Sequence, residues 1–152
     1  MSIVNRIKEL KLELPPQPKP VGAYTPVRIS GNMAFLSGQV SRKGDGVMLA
    51  GKVGKDLTTE QGKEAARIAA LNALSVIQSE IGWERFGKIL RVSGFVQAAP
   101  DFYDISAVVN GASELFLAVF GESGVHARTS IGMASLPMNA AVEVELTLEL
   151  KS

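Results

Sequence analysis

Within a predicted strand at Ala140–Leu150, residues 142–150 alternate strictly between apolar and polar side chains, and this pattern constrains the fold more than any other feature of the chain. The apolar positions are Val142, Val144, Leu146, Leu148 and Leu150, and the polar ones are Glu143, Glu145, Thr147 and Glu149. A period of two places the two sets on opposite faces of a β-strand. The pattern therefore predicts a half-buried antiparallel strand, in a sheet with one face against a core.

Two amphipathic helices are predicted to pack on that sheet. The first covers Thr58–Ile81, where apolar residues recur at steps of three and four. Thr58 and Gln61 match a capping box at its start, and Gly82 stands where a helix-terminating glycine is common. The second helix is predicted over Asp104–Phe120 from the same periodicity.

The remaining segments complete an α+β pattern. Further strands are predicted at Tyr24–Ile29, Met33–Gln39, Ile89–Ala98 and Ala127–Ser135, and residues 42–55 are predicted to form a glycine-rich loop with room for one small strand. The order β-β-(β)-α-β-α-β-β favours a mixed sheet with both helices on one face. The other sheet face would stay partly apolar and uncovered, which predicts an oligomer.

The first 20 residues are predicted to precede the main domain, residues 21–152. Residues Ser2–Leu10 place apolar side chains along one helical stripe. The segment Pro15–Pro20 holds four prolines in six residues, so it cannot continue a helix and favours an extended lead-in. This start carries several charges and no apolar signal region, so we expect a cytoplasmic protein.

Composition excludes several classes of function. The chain has no cysteine and a single histidine, His126, which rules out a disulfide scaffold, a thiolate nucleophile and a multi-histidine metal site within one subunit. Its net charge of +1 offers no broad positive field for nucleic acid or an anionic membrane. Polar residues interrupt the most apolar stretches, so no membrane span is predicted.

Arg128 is the first candidate site residue. It is a permanent cation in a predicted strand whose other residues are small and neutral. A guanidinium fork can hold a carboxylate through two parallel hydrogen bonds. The alternative is a structural salt bridge to Glu143 or Glu145 on a neighbouring strand, and the spacing leaves both interpretations open.

The other candidates depend on where a cleft lies. Glu143 could position or deprotonate a water molecule, although a solvated row of carboxylates is favoured by the pattern alone. Tyr24 could contact a ligand or cap the core. At Ser37-Gly38, the glycine permits close backbone approach to a ligand, or a bulge. Ser130 is a candidate ligand contact, and a Ser-His nucleophile is not predicted there. Two further residues are assigned plain roles, His126 in a loop and Asn110 on the polar side of the second helix.

Taken together, the sequence resembles the RidA (YjgF/L-PSP) family of imine/enamine deaminases. The motifs that carry the resemblance are Gly22-Ala23-Tyr24, Gly31-Asn32-Met33, Leu36-Ser37-Gly38-Gln39-Val40, Phe95-Val96, Asp101-Phe102, Val109-Asn110, Ala127-Arg128-Thr129-Ser130, Leu136-Pro137 and Val142-Glu143-Val144-Glu145. They run from about Val21 to Leu148. The arginine-to-glutamate pattern near the end is the most specific part.

The resemblance implies a chorismate-mutase-like fold assembled as a homotrimer, with sites in the clefts between subunits. It also implies hydrolysis of 2-aminoacrylate-type enamines and their imine tautomers to 2-keto acids and ammonia, without a cofactor or metal. In that scheme Arg128 grips the substrate carboxylate and Glu143 orients the attacking water. Tyr24 contributes to the cleft, and groups near Ser37 and Ser130 contact the ligand.

Two departures and two alternatives accompany this interpretation. Ser130 stands where the family often has cysteine. The segment Ser2–Pro20 adds to the usual start of the family, and the loop 41–57 is unusually rich in glycine, so the identity of the substrate stays open. A non-catalytic trimer that senses small carboxylates such as 2-keto acids is the main alternative function. An endoribonuclease, implied by an older family name, is disfavoured by the near-zero net charge.

Overall fold

The computed structural model describes residues 1–17, 19–20 and 22–152. The helices are α1 (Ile3–Glu9), α2 (Thr59–Val76) and α3 (Ile105–Phe120). The strands are β1 (Val27–Ser30), β2 (Met33–Val40), β3 (Arg42–Lys43), β4 (Gly46–Val47), β5 (Phe86–Gln97), β6 (Ala127–Met133) and β7 (Val142–Leu150). The predicted order of elements is confirmed, and β3 and β4 form a small hairpin in the glycine-rich loop.

Five strands form one mixed sheet, in the order β1-β2-β7-β5-β6. Neighbouring strands are antiparallel except for β5 and β6, which are parallel and joined through α3. Both long helices pack on one face, as predicted, and α2 and α3 also contact each other. The apolar residues of β7 are buried in the core between sheet and helices.

The local signals at the helix ends appear in the structure. The Thr58 hydroxyl accepts from the Gln61 amide at 3.1 Å, and the Gln61 side chain accepts from the Thr58 amide at 2.9 Å, so the capping box is formed. Beyond Val76 the helix widens into one π-helical turn, Ile77–Ile81, and ends at Gly82 with φ 85°. By length and composition Ile105–Gly124 would also suit a membrane span, but α3 instead packs on α2, β5 and β6.

The N-terminal segment lies across the outside of the helix layer. Apolar side chains of α1 and the residues after it pack against the core: Ile3, Ile7, Leu10, Leu12 and Leu14. The Arg6 Nε donates to the Ala118 carbonyl at 2.7 Å, and the Ser75 hydroxyl donates to the Pro15 carbonyl at 2.6 Å. Pro18, in the predicted proline lead-in, and Val21, where the main domain was predicted to begin, lie outside the described residues.

Strand β2 contains a bulge that matters for the site. Leu36 pairs with Leu146 and Gln39 pairs with Val144, so Ser37 and Gly38 together oppose the single residue Glu145. Such a bulge bends a strand and redirects the side chains around it. Strand β1 pairs with β2 only as far as Leu36, so beyond this point the outer edge of β2 has no strand partner among the described residues.

The sheet face opposite the helices is uncovered in the single chain. Apolar side chains lie open on it, including Phe35 at 46% and Ile131 at 42% exposure. This agrees with the predicted uncovered face, and its burial against further copies of the chain stays a prediction.

Candidate active site

A cavity of about 170 Å³ opens where the outer edge of β2 is unpaired. Its wall combines the bulge of β2, one end of α2 and the turn before β7, and it is lined by Lys19, Pro20, Tyr24, Pro26, Gly38, Gln39, Val40, Arg42, Asn72, Val76, Pro137, Met138 and Glu143. The buried amide of Asn72 donates to the carbonyls of Val40 and Arg42, each at 2.9 Å, and so fixes the end of β2 against α2. These two hydrogen bonds therefore hold the part of the cavity wall where β2 meets α2.

Glu143 contributes a carboxyl group to this cavity. It lies on β7 opposite Phe95 of β5, on the sheet face that points away from the helices. Burial raises the pKa of the Glu143 carboxyl above its usual value of 4.5, and the nearby negative charge of Glu145 raises it further. A carboxyl group in this state is suited to accepting a proton and returning it.

Gly38 makes the position of the Glu143 carboxyl possible. An ideal Cβ at residue 38 would lie 2.9 Å from Cδ of Glu143 and 3.1 Å from its Cγ, closer than real Cβ atoms normally approach. The sequence left open whether this glycine allows close backbone approach to a ligand or a bulge; the bulge is present, and approach to a ligand stays a prediction. Here the group that approaches is the side chain of Glu143.

Tyr24 lines the same cavity but does not belong to a strand. The predicted strand Tyr24–Ile29 begins only at Val27. Pro26 lies directly before it and has no N–H to donate to a neighbouring strand. The Tyr24 side chain is also 54% exposed, so its alternative role as a cap on the core is wrong. Its exposed ring lies on the rim of the cavity that holds Glu143.

Ser37 connects the Tyr24 segment to the sheet. Its hydroxyl donates to the Thr25 carbonyl at 2.7 Å, and its backbone amide donates to the Pro26 carbonyl at 2.9 Å. Ser37 does not itself line the cavity, although its neighbour Gly38 does. The described contacts of Ser37 therefore orient the rim of the cavity.

Arg128 lies on the other side of the sheet. It pairs with Val92, which is fully buried under the helices, so its side chain points towards the helix layer. The Nη1 atom donates to Oδ1 of Asn110 at 2.8 Å and to Oγ of Ser113 at 3.1 Å, and Nη2 lies 3.4 Å from the Ser106 carbonyl.

The structural salt bridge considered for Arg128 is wrong. Glu143 and Glu145 are on β7, and β5 lies between β7 and β6. Among the described residues no carboxylate lies within 4.0 Å of Arg128, which is held by neutral oxygen atoms only. A fixed guanidinium at a partly exposed position, without a carboxylate partner, has the chemistry needed to pair with an anion.

Ser130 lies two residues after Arg128 on β6. It pairs with Gly94 and so points to the same side as Arg128. Its hydroxyl is buried and has no hydrogen-bond partner in the described part of the chain. The only histidine, His126, bonds to Ser113 instead, which agrees with the expectation that Ser130 is not a Ser-His nucleophile.

One chain thus brings only two of the five predicted site residues into one cavity. Glu143 and Tyr24 share a cavity, while Arg128 and Ser130 lie on the opposite face and two strands away. Two strand spacings alone correspond to about 10 Å. A small substrate cannot contact both groups within one chain.

Sequence reasoning missed the residues that hold Arg128. Ser106, Asn110 and Ser113 follow one another along α3 at steps of four and three, which places them on one face of the helix. That polar stripe on an otherwise apolar helix was the available signal. No group of three histidine, aspartate or glutamate side chains suited to a metal occurs in residues 1–17, 19–20 and 22–152.

Comparison with known proteins gives a consistent result. Residues 4–150 match the model of a protein family described as "YjgF/chorismate_mutase-like, putative endoribonuclease". The chain is 37% identical to Protein TCP17 of Trypanosoma cruzi, covering 99% of this chain and 95% of that protein. It is 28% identical to a 2-iminobutanoate/2-iminopropanoate deaminase of Dermatophagoides farinae, covering 88% and 91% of the two chains.

Solved structures share the fold closely. A crystal structure from Shewanella oneidensis, described as a "putative endoribonuclease", superposes with a TM-score of 0.95 at 30% identity over 99% of this chain and 100% of that one. The protein Atu1372 of Agrobacterium tumefaciens, of unknown function, superposes with a TM-score of 0.89 at 36% identity, covering 98% and 92%.

Proposed function

This chain belongs to the YjgF/chorismate-mutase-like family, and we propose that it is a deaminase that hydrolyses 2-aminoacrylate-type enamines and their imine tautomers to 2-keto acids and ammonia. The similarity to the mite deaminase supports this activity, and so does the chemistry of the two groups described above. We further propose that it acts without a cofactor.

The reaction needs little from the protein because the imine carbon is already electrophilic. Water adds to C2 of the protonated imine while Glu143 takes one of its protons, which gives a carbinolamine. Glu143 then returns this proton to the nitrogen, the C–N bond breaks and ammonia leaves. The hydroxyl group passes its proton to the Glu143 carboxylate as the carbonyl forms, and release of this proton to ammonia or solvent restores the starting state. Proton transfer by one positioned carboxyl group contributes roughly 10²–10⁴-fold in such reactions, and the positioning of substrate and water adds to this.

The observation that carries the proposal is the uncompensated charge of Arg128. Its guanidinium is fixed at Nη1 by Asn110 and Ser113, and these partners leave its positive charge unneutralised. Every substrate of the proposed class carries a carboxylate next to the reacting carbon. A fork of two hydrogen bonds from Arg128 to that carboxylate would set the position of C2.

The opposite-face placement of Arg128 and Glu143 supports a site shared between copies. We propose a homotrimer in which Arg128 of one copy faces the cavity of another copy, with its Glu143 and Tyr24. The open sheet face, with exposed Phe35 and Ile131, is the surface suited to this assembly. Substrate would then lie in a cleft between subunits.

The proposal is tested by competition for a short-lived imine. An amino-acid oxidase generates 2-iminobutanoate from 2-aminobutanoate in the presence of semicarbazide, which traps the imine. We expect the wild-type protein to lower the yield of the trapped product, and Arg128→Ala to lose this effect. Arg67→Ala, which removes a surface arginine 3.7 Å from Glu64, should behave as wild type.

Other outcomes would contradict the proposal. If the folded wild type has no effect on trapping but binds 2-ketobutyrate in calorimetry, the protein is the carboxylate-binding alternative. If it has neither property, the assigned site is wrong. Cleavage of RNA that survives Arg128→Ala and Glu143→Gln would favour the nuclease implied by the name of the Shewanella relative.

A further inference from the structure

His126 lies directly before β6, against α3, and has two short polar contacts. Its Nδ1 lies 2.6 Å from the Gly124 carbonyl, and its Nε2 lies 2.9 Å from Oγ of Ser113. The edge of its ring meets Phe116 at a centroid distance of 6.4 Å and an angle of 88°. These contacts fix the ring in one orientation.

The partners also fix which ring nitrogen carries the hydrogen. A carbonyl oxygen can only accept, so Nδ1 must donate to Gly124. An arginine can only donate, so the Ser113 oxygen accepts from Nη1 of Arg128. The Ser113 hydroxyl hydrogen is then directed to Nε2 of His126, which accepts it in the neutral ring.

These bonds form a chain in which Arg128 donates to Ser113, Ser113 donates to His126, and His126 donates to the Gly124 carbonyl. In this arrangement the Ser113 hydroxyl cannot rotate away, because its hydrogen is held by His126 and its oxygen faces Arg128. Ser113 is also buried in α3, so its position is set by the core.

The chain determines which edge of the guanidinium stays available. Nη1 uses its two hydrogens on Asn110 and Ser113. Nη2 has only the long 3.4 Å contact to the Ser106 carbonyl. The Nη2 edge, including Nε, is therefore the edge with donors to offer a carboxylate in the paired geometry.

We propose that His126 is a positioning residue that, through Ser113, anchors Nη1 of Arg128 and so presents the Nη2 edge to the substrate carboxylate. This rests on the proposed function in one respect, namely that the anion bound by Arg128 is the carboxylate of the substrate. His126 itself does not contact substrate in this scheme, and its effect on turnover is indirect.

Two amide variants separate the two contacts of His126. In His126→Asn the side-chain amide takes the place of Nδ1, so the bond to Gly124 is kept and the bond to Ser113 is lost. In His126→Gln the longer amide reaches the place of Nε2 and keeps a partner for Ser113. A third variant, Ser113→Ala, removes the same link from the other side.

We expect His126→Asn to raise KM about threefold to tenfold, the effect of one net hydrogen bond, with kcat within about twofold of wild type. His126→Gln should restore KM. The KM of the double variant His126→Asn with Ser113→Ala should be no higher than that of the poorer single variant, because both substitutions break the same link between His126 and Arg128. Thermal melting of all variants checks that the fold is kept.

A readout independent of turnover is the ¹⁵N NMR spectrum of the Arg128 guanidinium in the full-length protein. Restricted rotation and slow hydrogen exchange at Nη1 should be seen in wild type and His126→Gln, and lost in His126→Asn. Unchanged Arg128 signals in folded His126→Asn would overturn the inference. Absence of turnover and of 2-ketobutyrate binding in wild type would instead reject the proposed function, while the NMR result still decides the role of His126.

Discussion

The carboxyl group of Glu143 lies in the space that a side chain at residue 38 would need. An ideal Cβ on Gly38 would approach Cδ of Glu143 to 2.9 Å. Because the bulge at Ser37 and Gly38 brings the β2 backbone to this point, the glycine and the carboxylate depend on each other. The catalytic role proposed for Glu143 is therefore sensitive to a residue on another strand.

Gly38→Ala should separate activity from stability. The atoms in conflict are the end of a flexible side chain, and the backbone of Gly38 needs no positive φ, so the protein should fold with little change in melting temperature. The displaced carboxyl group should lower kcat by roughly 10²-fold, the effect of a misplacement of about 1 Å. The imine-trapping assay and a thermal melt check this, and an active Gly38→Ala would contradict the placement of Glu143.

Glu143→Gln should stabilise the protein at neutral pH. Burial and Glu145 raise the pKa of Glu143 in the folded state, so between 4.5 and that raised pKa the folded protein binds more protons than the unfolded chain. Stability then falls as pH rises through this interval, and above it the buried charge is a constant cost. A neutral glutamine removes this cost.

The melting temperature of Glu143→Gln should exceed that of wild type at pH 7.5, and the difference should vanish below pH 4.5. Glu149→Gln is the matched control on the same strand face, since Glu149 lies 3.5 Å from Nζ of Lys88 and is expected to give no gain. An equal gain for Glu143→Gln at both pH values would show that its charge is not the cause.

Asn110→Asp should abolish the anion-binding character of Arg128 without disturbing the fold. Asn110 Oδ1 accepts from Nη1 at 2.8 Å, so a carboxylate there would neutralise the guanidinium. The affinity for 2-ketobutyrate should fall about tenfold or more, because the carboxylate of the ligand no longer meets an unneutralised guanidinium. Calorimetry at fixed ionic strength measures this. Asn32→Asp, in the exposed β1–β2 turn, supplies the same charge change elsewhere and should bind normally.

Mixing two inactive variants should restore activity if the site is shared between copies. Arg128→Ala keeps Glu143, and Glu143→Gln keeps Arg128, so about a quarter of sites in randomly mixed assemblies would hold both groups. Arg128→Ala mixed with Gly38→Ala should recover in the same way. Glu143→Gln mixed with Gly38→Ala should not, because both damage the same half of the site. No recovery in the first two mixtures would place the site within one chain.

Features set by neighbouring residues were predictable from the sequence. The alternation along β7 and the capping box at Thr58 needed only local geometry, and both are present in the structure. The partners of Arg128 depend on how α3 packs against β6, which local patterns do not determine. Tyr24 was assigned to a strand, but the strand begins only at Val27, directly after Pro26.

The N-terminal segment described above also affects which face of the chain stays open for contact with another copy. The N-terminal segment is bonded to α3 through Arg6 and to α2 through Pro15 and Ser75, and five of its apolar residues pack against the core. Part of the outer surface of the helix layer is thus covered by the chain itself. The open sheet face, with Phe35 and Ile131, has no such covering segment, so the N-terminal segment makes the two faces of the chain unequal as candidate surfaces for the proposed assembly.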